Sequence, residues 1–354
     1  MTVVIDLSDS NPDTCCSYAD DALSMSAKSS DWDDFFGHYP VLVKNGLESV
    51  ILNPDNYAVD MNGNTVDITS GDAGDVMIAF PRRGLKITTA NNKVYISFTD
   101  DPNSADFDYY AHNNLWQFYM GAYDGYIDGD GKLRSLSGKT PAHTITIGEA
   151  RAAARLNGSG YEQFAFYQLI YLQAMYIMKY KSLNGQTALG WGNVNSSAAL
   201  TTGTLNDKGL DWGDTSVKTS AMKFAGIENF WGNIWKWVDG LVTDSSCNYL
   251  TTTTTNFDDY GSGYENTITN SIKDDGGYLS GIIGDSLGGF AMADGGNNGS
   301  STTYFSDYAG ASSDGVAFFG GYWDDGADTG PFGLVVGADA SGAGADIGAR
   351  IQKL

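Results

Sequence analysis

Phe318-Phe-Gly-Gly-Tyr-Trp-Asp-Asp-Gly-Ala-Asp-Thr-Gly-Pro-Phe-Gly-Leu334 and, a few residues on, Asp346-Ile-Gly-Ala-Arg-Ile351 are the stretches on which the reading of this chain turns. Trp323, Phe332, Leu334, Ile347 and Arg350 suit a buried frame, because large apolar groups and one cation recur among glycines that permit tight turns. The residues between them are small, acidic or aromatic and follow neither a strand nor a helix period. That combination predicts fixed anchors carrying irregular loops.

Upstream lies Gly226-Ile-Glu-Asn-Phe-Trp-Gly-Asn-Ile-Trp-Lys-Trp-Val-Asp-Gly240, which packs Trp231, Trp235 and Trp237 into a short space. Flat side chains of this size wedge between loops, so the segment reads as a loop-stabilising core. Further back, Phe164, Tyr167, Leu169, Ile170, Leu172, Met175, Tyr176 and Met178 fill nearly every face of a helix expected from about Tyr161 to Lys181, which places it in the middle of a domain. Thr146-Ile-Gly-Glu149 has the spacing of a capping box, and Asn157-Gly158 supplies a stop, so a shorter helix precedes it. Val76 to Phe80, Leu85 to Thr89 and Val94 to Phe98 read as consecutive antiparallel strands. Thr251 to Thr255 reads as an edge strand or loop.

Residues 1–35 are polar and Asp/Ser-rich, with one apolar run at Val3-Val4-Ile5, and read as an arm that orders against something else. Residues 36–75 look like short strands, with Asn62-Gly63 as the clearest hairpin signal. The chain therefore divides into a small β-rich N-terminal part, 1–75, for attachment or oligomerisation, and a larger domain, 76–354. The fold class expected is α+β, with two helices and short antiparallel strands.

At 354 residues and 42% apolar content the chain can bury a large core. A formal charge of −23 opposes phosphate backbones and anionic lipid, so nucleic acid is not an expected partner. The start Met1-Thr-Val-Val-Ile-Asp6 lacks a basic region followed by a long apolar run, and no stretch is long enough to span a bilayer. Synthesis in a cytoplasm without a signal peptide or membrane insertion is expected. Cys15, Cys16 and Cys247 are neither a disulfide framework nor a metal-ligand set.

Three features could carry chemistry. Gly284-Asp-Ser-Leu-Gly288 matches a nucleophile-elbow pattern, but hydrolases of that kind place the histidine after the serine, and the last histidine is His143. Ser286 is accordingly read as a loop residue. Asp124, Asp128 and Asp130 suggest a calcium loop, yet Tyr126 and Lys132 stand where ligands belong and no Glu closes the run, which favours an acidic turn. His38, His112 and His143 are scattered and read as structural or surface residues.

The framework Gly320-Gly321-x-Trp323, Gly326-Ala327-x-x-Gly330-x-Phe332-x-Leu334, Ile347-Gly348-Ala349-Arg350 resembles the variable region of retroelement-diversified proteins, the family of the phage major tropism determinant and related phage tail proteins. With the tryptophan segment and the helix pair, the resemblance covers roughly residues 76–354. It implies a C-type lectin fold of the formylglycine-generating-enzyme kind, with a variable region at about 316–351. The displayed, ligand-binding positions it implies are Phe319, Tyr322, Asp324, Asp325, Asp328, Gly333, Val335, Gly337, Ala338, Gly342, Gly344 and Asp346. It further implies a non-enzymatic receptor-binding or adhesin protein of a phage or prophage virion, binding a cell-surface protein or glycan without a cofactor, as a homotrimer. Enzymes of this fold use paired C-terminal cysteines with a metal, and beyond Cys247 this chain has neither Cys nor His, so an oxidase lacks its ligands. A fixed structural virion component is the other alternative.

Overall fold

The computed structural model describes residues 1–272, 276–292, 296 and 298–354. It is a mixed α/β structure made mostly of strands. Four α-helices occur among the described residues: α1 (Asp31–Phe36), α2 (Ile147–Arg155), α3 (Phe166–Tyr180) and α4 (Gly185–Ala188). None is long and apolar enough to cross a membrane.

All fifteen residues of α3 are buried, as its all-round apolar surface requires. The Tyr171 and Tyr176 hydroxyls are buried without a hydrogen-bond partner among the described residues, but the amide and amine side chains of the helix are satisfied. Gln168 donates to Ala111 O, Gln173 donates to Pro331 O, and the Lys179 amine is held between Asp33 and Asp211. The helix starts at Phe166 and not at Tyr161, because Tyr161–Gln163 pairs antiparallel with Ile351–Lys353 and so takes its backbone bonds from the end of the chain. The capping box at α2 forms as expected: Thr146 Oγ1 accepts the Glu149 amide, and the Glu149 carboxylate accepts the Thr146 amide.

One seven-stranded antiparallel sheet runs in the order Tyr161–Gln163, Ile351–Lys353, Gln117–Gly121, Asp75–Pro81, Tyr39–Lys44, Leu47–Asn53, Asn56–Asp60. A four-stranded sheet runs Cys16–Ala19, Thr2–Asp6, Lys93–Thr99, Gly84–Ala90. These pairings correct two expectations. Asp75–Pro81 does not form a hairpin with Gly84–Ala90: it lies between Tyr39–Lys44 and Gln117–Gly121 in the other sheet. Nor is residue 75 a division in the sheets, since Thr2–Asp6 pairs with Lys93–Thr99 and Tyr39–Lys44 with Asp75–Pro81. The arm expected at residues 1–35 orders against its own chain, with Val3 and Ile5 fully buried in the shared core.

The third large sheet carries the C-terminal loops. Its order is Asn266–Ile268, Tyr249–Thr251, Trp235–Thr243, Val316–Phe319, Leu334–Ala338, Ala309–Ala311, with Ile347–Gly348 parallel to the start of Trp235–Thr243. All nine residues of Trp235–Thr243 are buried, as befits the strand in the middle. Part of the tryptophan segment read as loop is therefore strand, because Val316–Phe319 and Tyr249–Thr251 pair along it.

Candidate functional site

The loop at 320–333 begins where Gly320 and Gly321 turn the chain out of its strand at φ +96° and +77°, a region that strains any side chain. Gln186 Nε2 of α4 holds it from beneath, donating to both Ala327 O and Thr329 O at 2.7 Å, while Gln173 Nε2 of α3 donates to Pro331 O at 2.8 Å. The buried Asp307 carboxylate accepts the Phe332 amide at 2.8 Å. A Cβ on Gly330 would stand 2.1 Å from Asp307 Oδ1, so glycine is what lets a carboxylate lie under the loop. Burial pushes that carboxyl up to about 7. On the outer side, Gly326 N donates to Val194 O at 2.8 Å and Ser196 N to Trp323 O at 2.7 Å.

A second loop, 339–346, runs from Leu334–Ala338 to Ile347–Gly348 and is anchored at Arg350. This guanidinium is 1% exposed and donates to Gly121 O, Glu228 O, Asn229 O and Asp124 Oδ1, the last at 2.7 Å. Asp124, itself wholly buried, also accepts from Asn229 and Asn233 and stands 3.7 Å from the Lys236 amine. Burial pushes the Lys236 amine down to about 7 and the Glu228 carboxyl up to about 7; Glu228 accepts the Gly203 and Leu205 amides. A buried charge network thus underlies the loops, and Glu228 and Lys236 were not singled out in the sequence. The trace there is one cation, two anions and two asparagines set among aromatic, aliphatic and glycine residues.

The three aspartates weighed as a calcium loop and read as an acidic turn do not converge. Asp124 turns into this network. Asp128 accepts the Asp130 and Lys132 amides and pairs with Arg134 at 3.1 Å, and Asp130 is exposed.

Of the twelve positions implied to be displayed, Asp324 is exposed, and Tyr322, Asp325, Asp328, Val335, Gly337, Ala338, Gly342, Gly344 and Asp346 are half-buried. Tyr322 and the four aspartates come together from the two loops. Asp325 accepts the Tyr322 amide at 2.9 Å, and burial, with Asp328, Asp346 and Asp324 nearby, pushes its carboxyl up to about 7. The Tyr322 ring meets Trp323 edge-on at 5.2 Å.

Three positions depart from the expectation. Phe319 is 0% exposed and packs between Phe164 and Phe230, whereas Phe318 is half-buried against Trp235 at 4.7 Å; strand alternation puts 318, not 319, on the outer face. Gly333 is buried. Gly337 lies so close to its neighbour that a Cβ would meet Ser312 N at 2.8 Å, which leaves no room for a side chain. At Gly344 the obstruction is the flexible Asp346 carboxylate, at 2.3 Å. In the opposite direction, Trp323 and Ile347, expected in the frame, are half-buried, while Phe332, Leu334 and Arg350 are buried as read.

The serine motif forms a turn between Ile283–Asp285 and Gly289–Met292. The tertiary fold does bring His112 to the same recess as Ser286, against the expectation from sequence order. No hydrogen bond joins them among the described residues: Ser286 Oγ accepts the Ile87 amide, and His112 Nε2 contacts Pro81 O. The recess measures about 10 Å³, room for one water and not for a substrate.

No family model matches the chain, and no curated protein does. Among solved structures it is similar to the Major Tropism Determinant U1 variant, at 13% identity and a TM-score of 0.28, and to the Major Tropism Determinant I1 variant, at 10% identity and a TM-score of 0.21. Each match covers 88% of this chain and 78% of the other.

Proposed function

We propose that this chain is a non-enzymatic receptor-binding protein of a phage or prophage tail, and that its C-terminal part belongs to a C-type-lectin-like scaffold presenting the 322–346 loops to a cell-surface protein or glycan. The observation that carries this reading is the division of labour within one stretch. Phe332, Leu334 and Arg350 are locked into the core, while Tyr322, Asp324, Asp325, Asp328 and Asp346 gather on one face. Such a frame lets loop residues change without loss of the fold, which is what a diversified binding surface needs. The framework of Gly320, Gly321, Trp323, Gly330, Phe332, Leu334 and Arg350 supports the same reading.

The ligand-binding residues proposed are Tyr322, Asp324, Asp325, Asp328, Val335, Ala338, Gly342, Gly344 and Asp346. Phe319, Gly333 and Gly337 drop out on burial and space. No cofactor enters the reading. Small residues at several of these positions supply few anchors, so avidity from a homotrimer would offset weak single-site contacts.

The test is adsorption of the purified protein to candidate host cells. A variant carrying Tyr322→Ala, Asp324→Ala and Asp328→Ala should lose adsorption while keeping the thermal midpoint of the parent. Unchanged adsorption would sink the assignment of the face. Light scattering checks the assembly: a mass near 37.8 kDa would remove the trimer.

A further inference from the structure

We propose a second ligand site, remote in sequence from the 322–346 loops: a groove between residues 107–116 and 253–255 that binds a neutral oligosaccharide. It begins as a recess of about 330 Å³ walled by Tyr109, Tyr110, Asn113, Asn114, Thr253 and Thr254. A wider recess of about 600 Å³ shares Asn113 with it and continues past Leu115, Thr255 and the Gly158–Gly160 backbone. Both volumes fall within the roughly 300–1,000 Å³ of small-molecule sites. No residue from 319 to 346 lines either one.

The lining selects the ligand class. The first recess contains one charged group, the Asp108 carboxylate, which is an anion. Arg155, the cation of the second recess, is occupied by Glu162 at 2.8 Å and by Thr255 O at 3.0 Å. Among the described residues that line the groove an anionic ligand therefore meets no unpaired cation, and the net charge of −23 repels it. A peptide that needs apolar anchors finds little aliphatic wall. What remains is hydroxyl, carboxamide and aromatic surface, the set that hydrogen-bonds vicinal hydroxyls and stacks on the C–H faces of a sugar ring.

Three features favour this surface as a sugar site. The Tyr109 ring is fixed, with the Arg82 guanidinium 4.2 Å from its centroid and its hydroxyl bonded to Asp101 O and Ser104 N. Asn113 and Asn114 follow one another at φ +45° and +62°, and neither carboxamide has a hydrogen-bond partner among the described residues. One residue beyond Leu115, Trp116 exposes 70% of its surface, and its ring has no aromatic or cationic contact among the described residues.

Calorimetric titration of the full chain with maltohexaose, cellohexaose, chitohexaose and mannohexaose tests the groove. At least one should bind saturably. Asn113→Gly with Asn114→Gly keeps the left-handed backbone unstrained and removes both carboxamides, so it should weaken that binding roughly tenfold, as expected for two lost hydrogen bonds. Its thermal midpoint should match the parent's. The absence of binding to all four sugars overturns the proposal, as does binding that the double variant leaves intact. Failure here is separable from failure of the receptor-binding reading, because cell adsorption follows Tyr322, Asp324 and Asp328 and not the asparagines.

Discussion

Replacing Arg350 with methionine removes the donor that ties the end of the second loop to the core. The guanidinium is 1% exposed and its carboxylate partner Asp124 is fully buried, so the variant leaves a carboxylate whose remaining cation, Lys236, is 3.7 Å away. It also strips a donor from Gly121 O, Glu228 O and Asn229 O. Breaking a buried pair from one side costs about 3–5 kcal/mol. At about 2.1 cal/mol/K per residue, 354 residues give an unfolding entropy of roughly 0.7 kcal/mol/K, so the thermal midpoint should fall by roughly 4–7 °C. Differential scanning calorimetry reads this directly. Adding Asp124→Asn to Arg350→Met should recover part of the loss, since much of it is the uncompensated charge, and the double-mutant cycle isolates that share. A fall of less than about 2 °C, or no recovery in the double variant, would refute the view that this network holds the frame.

Two further outcomes follow from the same geometry. Asp307 has its carboxyl raised to about 7 by burial, so the folded state holds a proton that the unfolded state has released; the stability this contributes is complete below the ordinary carboxylate pKa and is lost as pH rises through 7. The stability of the parent against urea should therefore fall relative to that of Asp307→Asn between about pH 4 and pH 7, and parallel profiles would show that the carboxyl titrates normally. Phe319→Ala should cost about 3–5 kcal/mol as a core truncation, and Phe318→Ala clearly less, measured by the same unfolding; equal losses would contradict the strand facing seen here.

Local signals were legible from the chain alone. The capping box at Thr146 and Glu149 needs only four residues, and the helix through Phe166–Tyr180 announces its central position by being apolar on every side. Phe332, Leu334 and Arg350 could be assigned to the frame because a large side chain among turn-forming glycines has few places to go except inward. The gross division of the C-terminal stretch into frame and loop followed from that.

Decisions that depend on a distant partner were not legible. Whether Phe318 or Phe319 faces outward is a matter of strand parity, and parity is set by pairing with Trp235–Thr243, about eighty residues earlier. That Gly337 cannot carry a side chain follows from Ser312 lying against it. Sequence separates the N-terminal residues from the rest by composition, yet Thr2–Asp6 and Tyr39–Lys44 complete sheets begun by later strands, since an unpaired strand edge must find its hydrogen bonds somewhere. The same holds for Asp124: in sequence it belonged with Asp128 and Asp130, and only the fold turned it inward to meet Arg350. Local propensity and apolar patterning wrote the elements and the frame into the sequence; register, burial of charge and the meeting of the two loops arose from contacts between segments that no local pattern encodes.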